Sequence, residues 1–95
     1  MEVSTWKSVS YGIRIPKKHR QNIKEKCTNK IQIKLDGKYH EFKIRSTFWT
    51  TCPEVRGKPI EKWLRKHKKI IWPKGKPHKL ILDYEGENKF TLKIP

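Results

Sequence analysis

Lys30-Ile31-Gln32-Ile33-Lys34-Leu35-Asp36-Gly37-Lys38-Tyr39-His40-Glu41-Phe42-Lys43-Ile44-Arg45 is the stretch that decides the fold. Ile31, Ile33 and Leu35 alternate with lysine and glutamine, the period-two pattern of a strand packed on one face and wet on the other. Asp36-Gly37 supplies the positive φ angles that a two-residue hairpin turn requires. On the return, Phe42 and Ile44 share the packed face while Glu41, Lys43 and Arg45 share the wet one.

Working outward, residues 3–14 are rich in β-branched, aromatic and hydroxyl side chains and read as a strand or arm that enters the core at Ile13. Pro16 opens a short helix, with Ile23 on its core side, because its missing N–H has no intrahelical partner there. Beyond the hairpin, residues 46–53 mix hydroxyls with Phe48 and Trp49, and read as a strand end running into an exposed loop. Pro59 opens a second helix in which Ile60, Trp63, Leu64 and His67 fall on one buried face. After the Pro/Gly break at 72–77, Leu80, Leu82 and Tyr84, then Phe90, Leu92 and Ile94, alternate around Glu85-Gly86-Glu87-Asn88 as a terminal hairpin.

Ninety-five residues suffice for one compact core, so we read residues 1–95 as one domain, with 1–12 an N-terminal arm or strand and 13–95 the core. Lys and Arg total 24 against 9 Asp and Glu, a formal charge of +15 whose self-repulsion a polyanionic partner would relieve. No apolar run approaches the ~20 residues of a membrane helix, and the start lacks the order of a signal peptide. An intracellular, monomeric domain is expected. Cys27 and Cys52 are too few for a disulfide framework and lack the spacing of a zinc site, so no cofactor or metal is expected.

Short strands mixed with two short helices fit a small, mainly β barrel, which removes sheet edges and leaves its loops free to reach into a groove. Within that frame, Ile13-Arg14-Ile15-Pro16-Lys17-Lys18-His19 resembles the I-P-K-K-H run of plant B3 transcription-factor domains. Asp36-Gly37-Lys38, the strand ending in Phe48-Trp49 and the helix bearing Trp63-Leu64 follow in that family's order. The resemblance implies a seven-stranded open pseudobarrel with two short helices, a fold shared with the recognition domains of some bacterial restriction endonucleases. It also implies two arms that grip the major groove of double-stranded DNA. By position, the loop with Ser46, Thr47, Trp49, Thr50, Thr51 and Arg56 is the C-terminal arm, and residues 6–14 supply the N-terminal arm with Trp6, Lys7, Ser8 and Ser10. This chain departs from the family's pattern at Pro73-Lys74-Gly75-Lys76-Pro77, which stands where an acidic G-D turn is usual.

In the mechanism this implies, lysines and arginines neutralise phosphates while a few arm residues contact base edges. Lys7, Lys17, Lys18, Arg20 and Lys43 are the phosphate candidates, each set against plain solvation at the surface. Arg14, Arg45 and Arg56 are candidates for a planar fork on guanine, set against ion pairs with Glu41 or Glu54, and Arg56 is the first choice. Trp49 either stacks on a base or packs at the core rim; Trp6 either caps the barrel or touches ligand.

Asp83, Glu85 and Glu87 are read as a solvated turn rather than a metal-dependent nuclease centre, and no catalytic motif is found, so the chain is not read as an enzyme by itself. The expected function is site-specific DNA binding, as the target-recognition module of a restriction or regulatory system, with a nuclease or regulatory domain of a larger chain as an expected partner. The alternative is an RNA-binding barrel that stacks unpaired bases on Trp49, Tyr39 or Phe48. A structural protein buried in ribosomal RNA ranks below both.

Overall fold

The structure is a computed structural model that describes residues 1–27, 29–49 and 53–95. Among them, seven strands run as β1 (Glu2–Lys7), β2 (Tyr11–Arg14), β3 (Lys30–Leu35), β4 (Lys38–Lys43), β5 (Glu54–Arg56), β6 (Lys79–Gly86) and β7 (Lys89–Lys93). Helices α1 (Arg20–Lys26) and α2 (Lys58–Lys66) and two 3₁₀ turns, Lys17–His19 and Ser46–Trp49, join them among the described residues. The strands pair in the order β4-β3-β7-β6-β1-β2-β5, and the sheet rolls into a nearly closed barrel with one unsealed seam. All pairs are antiparallel except β3 with β7.

The deciding hairpin forms as its sequence dictates. Asp36 and Gly37 take φ of 52° and 87°, and Ile31 pairs with Phe42 on the buried face. α2 then docks on the turn: the Trp63 indole Nε1 donates to Asp36 Oδ1 at 3.2 Å, Lys66 Nζ lies 2.8 Å from Oδ2, and His67 Nε2 lies 2.9 Å from Oδ1. These contacts hold the Asp36 carboxyl below its ordinary pKa, the hydrogen bonds from Lys66 and His67 contributing most. Ile60, Trp63 and Leu64 are buried beneath them, as the helical spacing predicts, whereas His67 stands just past the end of α2 and is only half-buried.

Strand residues with period two fill the interior: Val3, Ile13, Ile31, Ile33, Val55, Leu80, Leu82, Phe90 and Leu92, joined by Ile23 from α1 and Phe48 from the second 3₁₀ turn. At the seam, Phe42 and Gly57 bring the two sheet ends together. A Cβ added at Gly57 would stand 3.2 Å from the Phe42 ring, so the missing side chain lets the ring close on the backbone.

Five further expectations change. Residues 3–14 form two strands, not one arm, and the core begins at Val3, with β1 lying inside the sheet between β6 and β2. The turn between them is Ser8-Val9-Ser10, closed by Ser8 N–H donating to the Ser10 carbonyl, and serine is its one, weaker turn signal, with no Gly, Pro or Asn. Pro16, with ψ of 149°, caps the first 3₁₀ turn rather than occupying the first helical position. Residues Ser46–Trp49 wind as a 3₁₀ turn because Phe48 must reach the interior from the end of β4. Strand β5, with Val55 as its one buried residue, is too short to show periodicity. Tyr84 and Ile94 are exposed: Tyr84 is the last residue of β6 before its irregularity, and Ile94 lies beyond the end of β7.

Candidate nucleic-acid interface

One row of residues crosses the outer face of three strands: Trp6 of β1 stands opposite Gly12 of β2, which stands opposite Arg56 of β5. Cross-strand partners point to the same side of a sheet. Because Gly12 has no side chain, β5 closes directly onto β2 at this point, and the Arg56 guanidinium reaches over the Trp6 ring, 5.7 Å from its centroid. The glycine is obligatory. A Cβ at Gly12 would lie 2.3 Å from the Val55 carbonyl oxygen and 2.8 Å from Arg56 Cα. The next row along the same face sets Ser4, Arg14 and Glu54 side by side. Arg14 Nε lies 3.5 Å from Glu54 Oε2, and the Glu54 side chain is only 7% exposed.

These rows form one wall of a cleft of about 290 Å³ lined by Trp6, Ser8, Arg45, Thr47, Glu54 and Arg56. Its opposite wall, Arg45 and Thr47, follows β4, so the cleft spans the seam between the two sheet ends. Three separated segments therefore deliver two arginines, two hydroxyls and an indole to one depression, with Glu54 as the single carboxylate in its lining. Five of these six residues are candidates from sequence; Glu54 entered only as an ion-pair partner, and it takes that role with Arg14.

A second, shallower depression is lined by Arg14, Ile15, Pro16, Lys17, Arg20 and Pro53. Arg20 is half-buried and donates from Nη1 to the Trp49 carbonyl at 3.2 Å, which fastens the first helical segment to the second 3₁₀ turn. Trp49 packs edge-on against Phe48, with ring centroids 4.8 Å apart, at the rim of the core. Burial, and then the neighbouring Lys18, hold His19 below its ordinary pKa, so its ring adds no charge to this face at neutral pH.

Lys18, Lys43 and Ser46 are exposed outside both depressions, and Ser10 lies half-buried at the β1–β2 turn. Lys7 sits over the Tyr11 ring at 5.3 Å. Thr50, Thr51 and Cys52 fall outside the described residues. Sequence reasoning missed Val9: flanked by Ser8 and Ser10 at the β1–β2 turn, it is 92% exposed.

Asp83 and Glu85, near the C-terminus, are engaged within their own hairpin. Asp83 Oδ2 pairs with Lys93 Nζ at 2.7 Å, and Glu85 accepts a hydrogen bond from the Thr91 hydroxyl. Among the described residues, no three His, Cys, Asp or Glu side chains gather to hold a metal ion, and no helix is long and apolar enough to cross a membrane. No family of related sequences, no curated protein and no solved structure matches this chain.

Proposed function

We propose that this chain binds double-stranded DNA site-specifically, reading the major groove with the cleft that spans its barrel seam. In this reading it is the target-recognition module of a restriction or transcription-regulatory system, like the B3 domains that its sequence resembles. The observation that carries it is the convergence of Trp6, Ser8, Arg45, Thr47 and Arg56 on one cleft from three segments of a chain of charge +15.

The chemistry of each group suits the task. Arg45 and Arg56 offer planar forks for guanine O6 and N7, and Ser8 and Thr47 offer hydroxyls that donate or accept. The Trp6 ring restrains the Arg56 guanidinium, so less rotamer freedom is lost when the fork engages a base. Val9, projecting from the β1–β2 turn, suits contact with a thymine methyl group. Lys17, Lys18 and Lys43 lie outside the cleft lining and suit phosphate contacts that orient the domain without reading sequence. Glu54 neutralises Arg14 and leaves Arg45 and Arg56 as the uncompensated cations of the cleft lining.

Competition between a duplex DNA pool and single-stranded RNA tests the class of ligand. This reading expects duplex to displace RNA, and expects Arg45→Ala combined with Arg56→Ala to remove that preference. Tighter binding of RNA would replace it with an RNA-binding barrel.

A further inference from the structure

A second hollow, larger than the cleft, lies beside it. Its volume is about 500 Å³, and Trp6, Tyr11, Ile70, Ile71 and Trp72 supply its apolar surface. Lys7 and Lys74 supply charge, Arg14 being paired with Glu54, and the lining itself holds no carboxylate. Trp6 belongs to both hollows, so its indole is the partition between groove and cleft.

The outer wall of the groove is the segment after α2, which contains the Pro73-Lys74-Gly75-Lys76-Pro77 run, and it is fixed in place. His78 N–H donates to Thr5 Oγ1 at 2.9 Å while Thr5 N–H donates to the His78 carbonyl at 3.0 Å. The His78 ring donates from Nε2 to the Ile71 carbonyl at 2.9 Å. Trp72 is held edge-to-face between Tyr11 and His78, with ring centroids 6.3 and 6.1 Å away. A turn closed by Lys76 N–H on the Pro73 carbonyl, with Gly75 at φ of 78°, presents Lys74. Ile71 nevertheless remains 82% exposed on this ordered wall, an apolar side chain with no cover from the chain itself.

We infer that this groove receives a single nucleotide lifted out of the stack of the bound DNA, its base against the Trp6, Ile71 and Trp72 surface and its phosphate beside Lys7 and Lys74. The inference rests on the DNA-binding reading and adds a second site to it. Planar apolar walls suit the face of any base, and cations free of competing carboxylates suit the adjoining phosphate. The volume falls within the roughly 300 to 1,000 Å³ of small-ligand sites, which accommodates a nucleotide and excludes a duplex. A base that is already unpaired costs least to extrude, so the site favours DNA with a local pairing defect.

The test compares a duplex carrying one bulged 2-aminopurine nucleotide with the same duplex fully paired, at one salt concentration. The expected result is about tenfold tighter binding of the bulged duplex, with a change in 2-aminopurine emission on binding. Ile71→Ala, at an exposed position, and Trp72→Leu should each cut that preference severalfold and leave the paired duplex bound as before. Equal binding of the two duplexes, or a preference that survives both substitutions, would overturn the inference while the DNA-binding reading stands. Failure to bind either duplex would remove the DNA-binding reading, and this inference with it.

Discussion

Arg56 holds its guanidinium over the Trp6 ring across the side chain that Gly12 lacks, at 5.7 Å from the ring centroid. The contact requires that β2 and β5 approach too closely for any Cβ between them. Gly12→Ala is therefore expected to destabilise the fold by about 1 to 3 kcal/mol through overpacking, read as a lower urea midpoint at unchanged slope. An unchanged midpoint would mean that β5 moves aside without cost.

Arg56→Ala is expected to weaken binding to the preferred site by about 1 to 3 kcal/mol and to relax preference at one base position. Arg56→Lys should recover only part of this, because a point charge replaces the fork. Lys18→Ala, away from the cleft lining, should weaken every duplex alike and reduce the salt slope by about one. Titrations of preferred and scrambled duplexes across a salt series separate the two patterns.

Asp36 joins the β3–β4 turn to α2, and its folded pKa is depressed by Lys66 and His67. A depressed carboxyl stabilises the fold above its unfolded pKa of about 4, and the contribution disappears as pH falls through the lower folded value. Asp36→Asn keeps an acceptor for Trp63 and tolerates the positive φ, but loses the charge. The wild type should be more stable than Asp36→Asn at pH 6, and the gap should close as pH falls below about 4. The side chain is partly exposed, so the gap should also shrink with added salt.

Burial pushes the Cys27 thiol up to about 11, so almost none is thiolate at neutral pH. In a Cys52→Ser background, alkylation of Cys27 at pH 7.5 should be slow in the native protein and rapid in denaturant. A native rate equal to that of a free thiol would contradict the burial.

The barrel was legible where one residue type dictates one local geometry. Asp36-Gly37 could only turn, and Ile60, Trp63 and Leu64 could only share a helical face. The β1–β2 turn was hidden because Ser8-Val9-Ser10 closes without any residue that signals positive φ, and β5 because three residues show no period. Candidate residues could be chosen by chemical type, but their meeting at the seam depends on the pairing of β2 with β5, a relation between segments 40 residues apart that no local pattern carries. The groove walled by Ile71 and Trp72 was illegible for the same reason: the sequence marks 72–77 only as a break.

Selection from a random duplex DNA pool at near-physiological salt, followed by titration of the winner against scrambled duplex, tests the central claim most directly. Site-specific binding predicts a discrete enriched motif, bound about a thousandfold or more tighter than scrambled DNA. A pool that remains random, with all duplexes bound equally, would contradict it.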